Sequence, residues 1–203
     1  MQKISKEARK KKMVFENKEK EGKLQKNYQG DSFTKILIKD IIICMLITWG
    51  IFSIISPTLV QQNSMVPTCQ PDDYILLYKQ AYLLNEPKRG DVIVFKTQML
   101  NDNGITKKLL IKRIIAIPGD HIKIEDGAVY INNKQLNEDY INCDSTAGNV
   151  DETIPKNHYF VMGDNRTVSI DSRSQEVGLV QKKDICGKAY VRVFPINNAG
   201  KIK

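Results

Sequence analysis

The sequence predicts a mainly β protein: an irregular antiparallel β domain preceded by one N-terminal transmembrane helix. Three observations lead there. A run of twenty uncharged residues, Ile41–Val60 (IIICMLITWGIFSIISPTLV), separates a basic N-terminal stretch from the rest of the 203-residue chain. Beyond it, short apolar segments alternate with turn formers, and no long helical periodicity follows. The formal charge of +8 is concentrated ahead of the apolar run.

Residues 1–40 are the first element, a basic cytoplasmic tail whose twelve Lys and Arg against six Asp and Glu carry +6 of the total charge. Its Lys-rich part, residues 1–30, reads as a solvated, largely disordered tail that can touch anionic lipid. Residues 41–60 are the second. Twenty residues at ~1.5 Å each match a hydrocarbon core of ~30 Å. A buried core helix normally runs shorter and shows a polar face. A cleaved signal peptide has a shorter apolar run, and no A-x-A follows Val60. Ser53, Ser56, Pro57 and Thr58 leave the outer end of the span less secure than its start. The run therefore reads as an uncleaved signal anchor. Basic residues on its N-terminal flank put the N-terminus in the cytoplasm and residues 61–203 on the outer face of the cell membrane, in a single pass. That topology excludes nucleic acid, the partner that +8 alone would suggest.

Residues 61–203 hold 19 basic and 17 acidic residues, close to neutral, and are long enough for one domain. Strands are predicted at Tyr74–Tyr78, Asp91–Phe95, Lys108–Ile117, His121–Ile124, Ala128–Ile131, Tyr159–Met162 and Ala189–Phe194. Turn formers punctuate them at Gln70–Asp73, Arg89–Asp91, Pro118–Asp120, Asp126–Gly127 and Gly163–Asn165. Residues 121–158 form a smaller, loop-rich excursion, polar above all at 132–157. Four Cys are too few for a disulfide scaffold. Cys44 lies in the span, and Cys143 and Cys186 are the pair that could bridge outside it. With two His and no CxxC, neither a metal site nor a cofactor is expected.

Three places could carry chemistry. Ser64 stands just beyond the membrane in Asn63-Ser64-Met65-Val66-Pro67-Thr68, where Pro67 constrains the turn. Lys112 interrupts the apolar run Leu109–Ile117, and desolvation there would lower its pKa toward that of a usable base. Strand geometry points Arg113 the opposite way, so only one of the two cations need face the interior. The third place is Gly163–Arg173 (GDNRTVSIDSR), whose polar groups could orient a base or form an ion-pair network. Taken singly, each also reads as a surface turn, an edge-strand lysine or a well-bonded loop.

Together they resemble one family. SMVPT (Ser64–Thr68), RGDVIVF (Arg89–Phe95), KRIIAIPGD (Lys112–Asp120) and GDNRTVSIDSR (Gly163–Arg173) match, in order, the boxes of bacterial type I signal peptidases. GKAYVRVFP (Gly187–Pro195) resembles their usual ending. The single anchor and short exported domain resemble the Gram-positive form. The resemblance implies a signal-peptidase-type β domain and a Ser–Lys dyad that cleaves signal peptides from exported preproteins after small residues at −1 and −3. Ser64 would be the nucleophile and Lys112 the general base. Ser169 would orient Lys112, and Asp171 would support the site with Arg113 and Arg166 as neighbours. Met65 and Ile111 would line substrate pockets, and an apolar patch drawing on Tyr74, Leu76, Leu77, Tyr82, Leu83 and Leu84 would dip into lipid. Exported preproteins and the bilayer are the implied partners, and action as a monomer is expected. Two other functions fit the same boxes: a specialised peptidase for a few clients such as pilins, and a non-cleaving assembly factor.

Three departures from the family pattern involve four positions. Cys69 replaces a Leu, which would alter a pocket wall or leave a thiol near the nucleophile. Gln62 stands where relatives carry Gly or a small hydroxyl residue, and Thr167-Val168 replaces acidic or amide residues.

Overall fold

The computed structural model describes residues 2–100, 104 and 107–202, in two compact units divided between Ile51 and Phe52. The first unit lies within α1 (Gln2–Ile54). Its helix begins at Gln2, so the predicted disordered tail is helical in backbone. Lys, Glu and Gln, all good helix formers, are frequent in that stretch. The side chains of residues 2–12, 14–16 and 22–32 lie outside the described residues, and with them the expected contact of the tail with anionic lipid.

The stretch of α1 long and apolar enough to cross a membrane runs Phe33–Ile54, with mean hydropathy 2.0 and none of its most apolar window buried. The sequence placed a transmembrane helix at 41–60; the apolar helical stretch of the structure begins and ends nearer the N-terminus. The outer end of the apolar run becomes β1 (Ile55–Leu59) instead. Pro57 is the physical reason. It lacks the N–H a helix needs and disfavours helical geometry at Ser56, whereas an edge strand tolerates it.

The second unit is antiparallel β throughout. Its remaining strands are β2 (Tyr74–Tyr78), β3 (Val92–Leu100), β4 (Lys107–Ala116), β5 (His121–Glu125), β6 (Ala128–Ile131), β7 (Lys134–Gln135), β8 (Val150–Thr153), β9 (His158–Met162), β10 (Val180–Gln181), β11 (Ile185–Phe194) and β12 (Gly200–Lys201). The larger sheet runs β1-β2-β11-β3-β4-β9-β10, with β12 on β11; the smaller runs β7-β6-β5-β8. The predicted strands form in place, while β1, β7, β8, β10 and β12 are additional. The excursion is thus a four-stranded sheet. Its β5–β6 hairpin turns at Asp126-Gly127, both at positive φ, the geometry a tight two-residue turn demands.

Three buried clusters hold the β unit. Ile115, Ile122, Ile124, Val129, Phe160 and Met162 join the two sheets. Val60, Met65, Cys69, Ile75, Val92 and Ala189 pack under the β1–β2 connection. Ile93, Phe95, Leu110, Ile114, Tyr159 and Val161 cover one face of β3, β4 and β9. Strand β4 lies between β3 and β9 and is buried on both faces through its second half, so Lys112 and Arg113 are both inside. The expectation that only one of them faces the interior is thereby corrected. All four cysteines are free, Cys143 and Cys186 included.

Candidate active site

Ser64 belongs to the connection between β1 and β2. Residues Asn63–Met65 make one 3₁₀ turn. Val60 and Asp73 close the base of the loop, with Val60 N–H donating to Asp73 O at 2.9 Å and Asp72 N–H to Val60 O at 2.8 Å. Met65 and Cys69 plug into the core, and Cys69 N–H donates to Met65 O at 2.8 Å. The turn is therefore anchored on the residues after Ser64.

Lys112 arrives from β4. It shares a strand face with Leu110 and Ile114, both buried, and pairs across the sheet with buried Ile93. Only 1% of it is exposed. Its Nζ donates to Ser64 Oγ at 2.7 Å and to Ile111 O at 3.0 Å. Burial in this apolar setting pulls its pKa down from 10.5 to about 8, against the opposing charges of Asp171 and Asp164 and with a small further push from Lys108. A deprotonated amine at this distance can accept the Ser64 hydroxyl proton.

Strand β9 ends at Met162, paired with Arg113, so Gly163 leaves the sheet beside Lys112. The loop then clasps the Ser64 turn: Asn165 N–H donates to Ser64 O at 3.1 Å, and Asn165 Nδ2 to Asn63 O at 3.3 Å. Gly163 is wedged between the two parts. A Cβ added there would lie 2.3 Å from both Ser64 O and Ser169 Oγ. Its N–H donates to Ser169 Oγ at 3.2 Å and to Asp171 Oδ2 at 3.1 Å. Ser169 thus meets the Ser–Lys pair through Gly163, not through a described bond to Lys112.

The basic neighbours expected around Asp171 are elsewhere. Asp171 is clasped by Arg173, with Nε to Oδ1 at 2.8 Å and Nη2 to Oδ2 at 2.9 Å. Arg113 points to the face of β4 opposite Lys112 and forms a two-pronged pair with Asp164 at 2.8 and 2.7 Å. Thr68 Oγ1 completes that group by donating to Asp164 Oδ2 at 2.5 Å. Arg166 turns to the excursion, where its guanidinium meets both oxygens of Glu138 and donates to Thr146 Oγ1 at 2.6 Å. Tyr140 supports both sides, its hydroxyl on Glu138 Oε1 at 2.6 Å and its ring 4.1 Å from the Arg113 guanidinium carbon. Sequence reasoning missed Glu138, Tyr140, Thr146 and Thr68. The one available hint was an aromatic residue and a carboxylate inside an otherwise polar stretch.

Of the two expected pocket residues, Ile111 lines the cleft but Met65 does not. Met65 is fully buried in the core, where its long side chain fills space beneath the turn. Two cavities flank the Ser64 segment. One of about 380 Å³ is lined by Gln62, Ser64, Lys108, Leu110, Val168 and Ile170. The other, about 500 Å³, is lined by Val60, Gln62, Ile75, Val94 and Ile111 among others. Cys69 touches neither: it is a core residue whose thiol burial pushes up to about 12, chemically inert. Among the described residues no three His, Cys, Asp or Glu side chains gather as a metal-binding group.

Comparison with known proteins gives a consistent picture. Residues 33–194 match the family described as signal peptidase, peptidase S26. The chain is 33% identical over 164 residues to a probable signal peptidase I-2 of Synechocystis, covering 80% of this chain and 74% of the relative. It is 32% identical over 179 residues to signal peptidase I of Bacillus licheniformis, covering 83% and 91%. A crystal structure of a signal peptidase I from Enterococcus faecalis is 29% identical, with a TM-score of 0.41, covering 51% of this chain and 97% of that one.

Proposed function

The chain belongs to the signal peptidase family, peptidase S26, and is a signal-peptide-cleaving peptidase; from that premise we propose that Ser64 and Lys112 are its catalytic dyad. The single observation that carries the assignment is the 2.7 Å contact between Lys112 Nζ and Ser64 Oγ inside a buried site. Neutral Lys112 takes the Ser64 proton as Oγ attacks the scissile carbonyl, then delivers it to the leaving amine. Water, activated by the same amine, releases the acyl product. The Ser64 backbone N–H supplies one oxyanion donor.

The substrate is the signal peptide of an exported preprotein, bound extended along the residues before Ser64 and the first half of β4. Strand-like binding sends alternate side chains to the same side, so the residues at −1 and −3, small in the preproteins such peptidases cleave, would face the two neighbouring cavities. The dyad is complete within one chain, which supports action as a monomer. An intact dyad also speaks against a non-cleaving assembly factor.

The α1 span Phe33–Ile54 serves as a single-pass anchor in the cell membrane, with the basic N-terminus cytoplasmic and the β unit on the outer face. The face of β1, β2 and β11 turned from the core supports this, exposing Ile55, Leu59, Tyr74, Tyr78, Tyr190 and Phe194. Of the patch residues read from sequence, Tyr74, Leu83 and Leu84 are exposed, Leu76 and Tyr82 are half-buried, and Leu77 points into the core.

Purified full-length protein should cleave a preprotein with Ala at −1 and −3, giving the mature N-terminus by mass spectrometry. Ser64→Ala and Lys112→Ala should each lower kcat/KM by at least ~10³-fold. Wild-type rates from both variants would remove the dyad. Sealed vesicles that shield residues 61–203 from added protease in the orientation of the cell would reverse the topology.

A further inference from the structure

A cavity beside the residues that hold the end of α1 lies away from the catalytic cleft and shares no lining residue with it. It measures about 650 Å³ and gathers the ammonium groups of Lys79, Lys156, Lys182 and Lys183, with Tyr82 and Leu83 on its apolar wall. No carboxylate lines it. Two of the four cations have protein partners: Lys182 pairs with Glu86 at 2.6 Å, and Lys79 donates to Phe52 O at 2.9 Å. Among the described contacts none satisfies Lys156 or Lys183, both exposed at the rim. Glu86 offsets Lys182, and the three remaining cations around one hollow leave a positive potential that an anion relieves.

Position adds to charge. Lys79 holds the last turn of α1, with its amide donating to Ile54 O at 2.9 Å and its ammonium to Phe52 O. One wall of the cavity is therefore tied to the residues where the apolar helix ends. Beside it Leu83 and Leu84 are 73% and 96% exposed, large apolar side chains with no covering protein. Basic groups and exposed apolar groups beside the residues that end the apolar helix together match a phosphorylated amphiphile.

We propose that this cavity binds the phosphate of an anionic phospholipid headgroup, with Lys156 and Lys183 as its unpaired contacts and Leu83 and Leu84 beside the acyl chains. The lipid source rests on the anchor reading above; the phosphate chemistry does not. Binding there would add a lipid contact to the β unit without touching the dyad.

The test is hydrogen exchange of the full-length chain in nanodiscs of phosphatidylcholine alone or with phosphatidylglycerol, and in detergent with or without inorganic phosphate. Phosphatidylglycerol should slow exchange several-fold at residues 156–158 and 181–185. Lys156→Glu with Lys183→Glu, both exposed and outside the cleft, should abolish that slowing while cleavage in detergent stays at the wild-type rate. Equal exchange in the two nanodiscs, or protection that survives the double variant, overturns the proposal. Protection by inorganic phosphate but not by phosphatidylglycerol assigns the site to a soluble anion and overturns the lipid source. A chain that fails to enter nanodiscs defeats the anchor reading, and the phosphate arm in detergent still decides the pocket.

Discussion

Lys112 and Arg113 are neighbours on β4, almost equally buried, and they meet opposite fates: Arg113 is paired with Asp164, while Lys112 faces the Ser64 hydroxyl. The guanidinium has a carboxylate lying against it, held by two hydrogen bonds. The ammonium has a hydroxyl and a carbonyl as its hydrogen-bond partners, so burial can drive its proton off. In the proposed dyad the neutral amine is the base, so kcat/KM should rise with pH and level off above an apparent pKa of about 8. Lys108→Glu removes a charge that holds Lys112 down and adds one that favours its protonation, so the midpoint should move up. Lys112→Arg should be inactive at every pH, because a guanidinium does not deprotonate there. A flat pH–rate profile would remove Lys112 as the base.

The same lowered pKa predicts a cost in stability. The folded value of about 8 lies below the unfolded value near 10.5, so the folded state binds the proton more weakly. Below pH 8 both states are protonated and the full penalty, about 3 kcal/mol, applies. As pH rises from 8 to 10.5 the folded protein loses its proton first and the penalty is relieved. Lys112→Met should therefore be more stable than wild type at pH 7, and the gap should shrink by pH 10. Unfolding in detergent at both pH values measures it; a constant gap would contradict the assigned burial effect.

The residues alone marked candidate places, and only the resemblance of the ordered boxes to signal peptidases gave them roles. Ser64 and Lys112 stood out because a lysine in an apolar run and a serine on a Pro-constrained turn are locally unusual. The period-2 pattern and turn formers likewise located β2 to β6 and β9. Partner choice was not local. Asp171 takes Arg173, two residues on, and Arg166 takes Glu138 from a polar segment whose sheet contacts no periodicity announces. The apolar helix ends at Ile54 rather than Val60 because hydropathy ignores the missing N–H of Pro57, and β1 depends on pairing with β2 rather than on its own pattern.

Gly163 is a sharper test of how the loop meets the nucleophile. Its φ is not in the left-handed region, so the constraint is space alone. Alanine would put a methyl group 2.3 Å from the Ser64 carbonyl and from Ser169 Oγ, well inside contact distance. The clash falls partly on backbone, which cannot swing away. Gly163→Ala should cut kcat by at least ~10²-fold, since a shift of about 1 Å at the reacting groups suffices for that. Circular dichroism should show the β content retained. Near-wild-type turnover would mean that the loop and the Ser64 turn move apart freely.

The Arg166–Glu138 pair ties the same loop to the smaller sheet, and its energetics separate charge from position. Both side chains are buried, at 0% and 6% exposure. Glu138→Ala would leave the guanidinium unpaired inside the protein, a loss of roughly 3–5 kcal/mol for a pair of this kind. Glu138→Leu with Arg166→Met removes both charges, and most of the lost Tm should return. Activity should not return with it, because Arg166 Nε also donates to Gly163 O at 3.1 Å, and that bond is gone in the double variant. Restored Tm with depressed kcat and unchanged KM would make Arg166 a positioning residue acting through Gly163. Full recovery of both would reduce the pair to a structural bolt between the sheets.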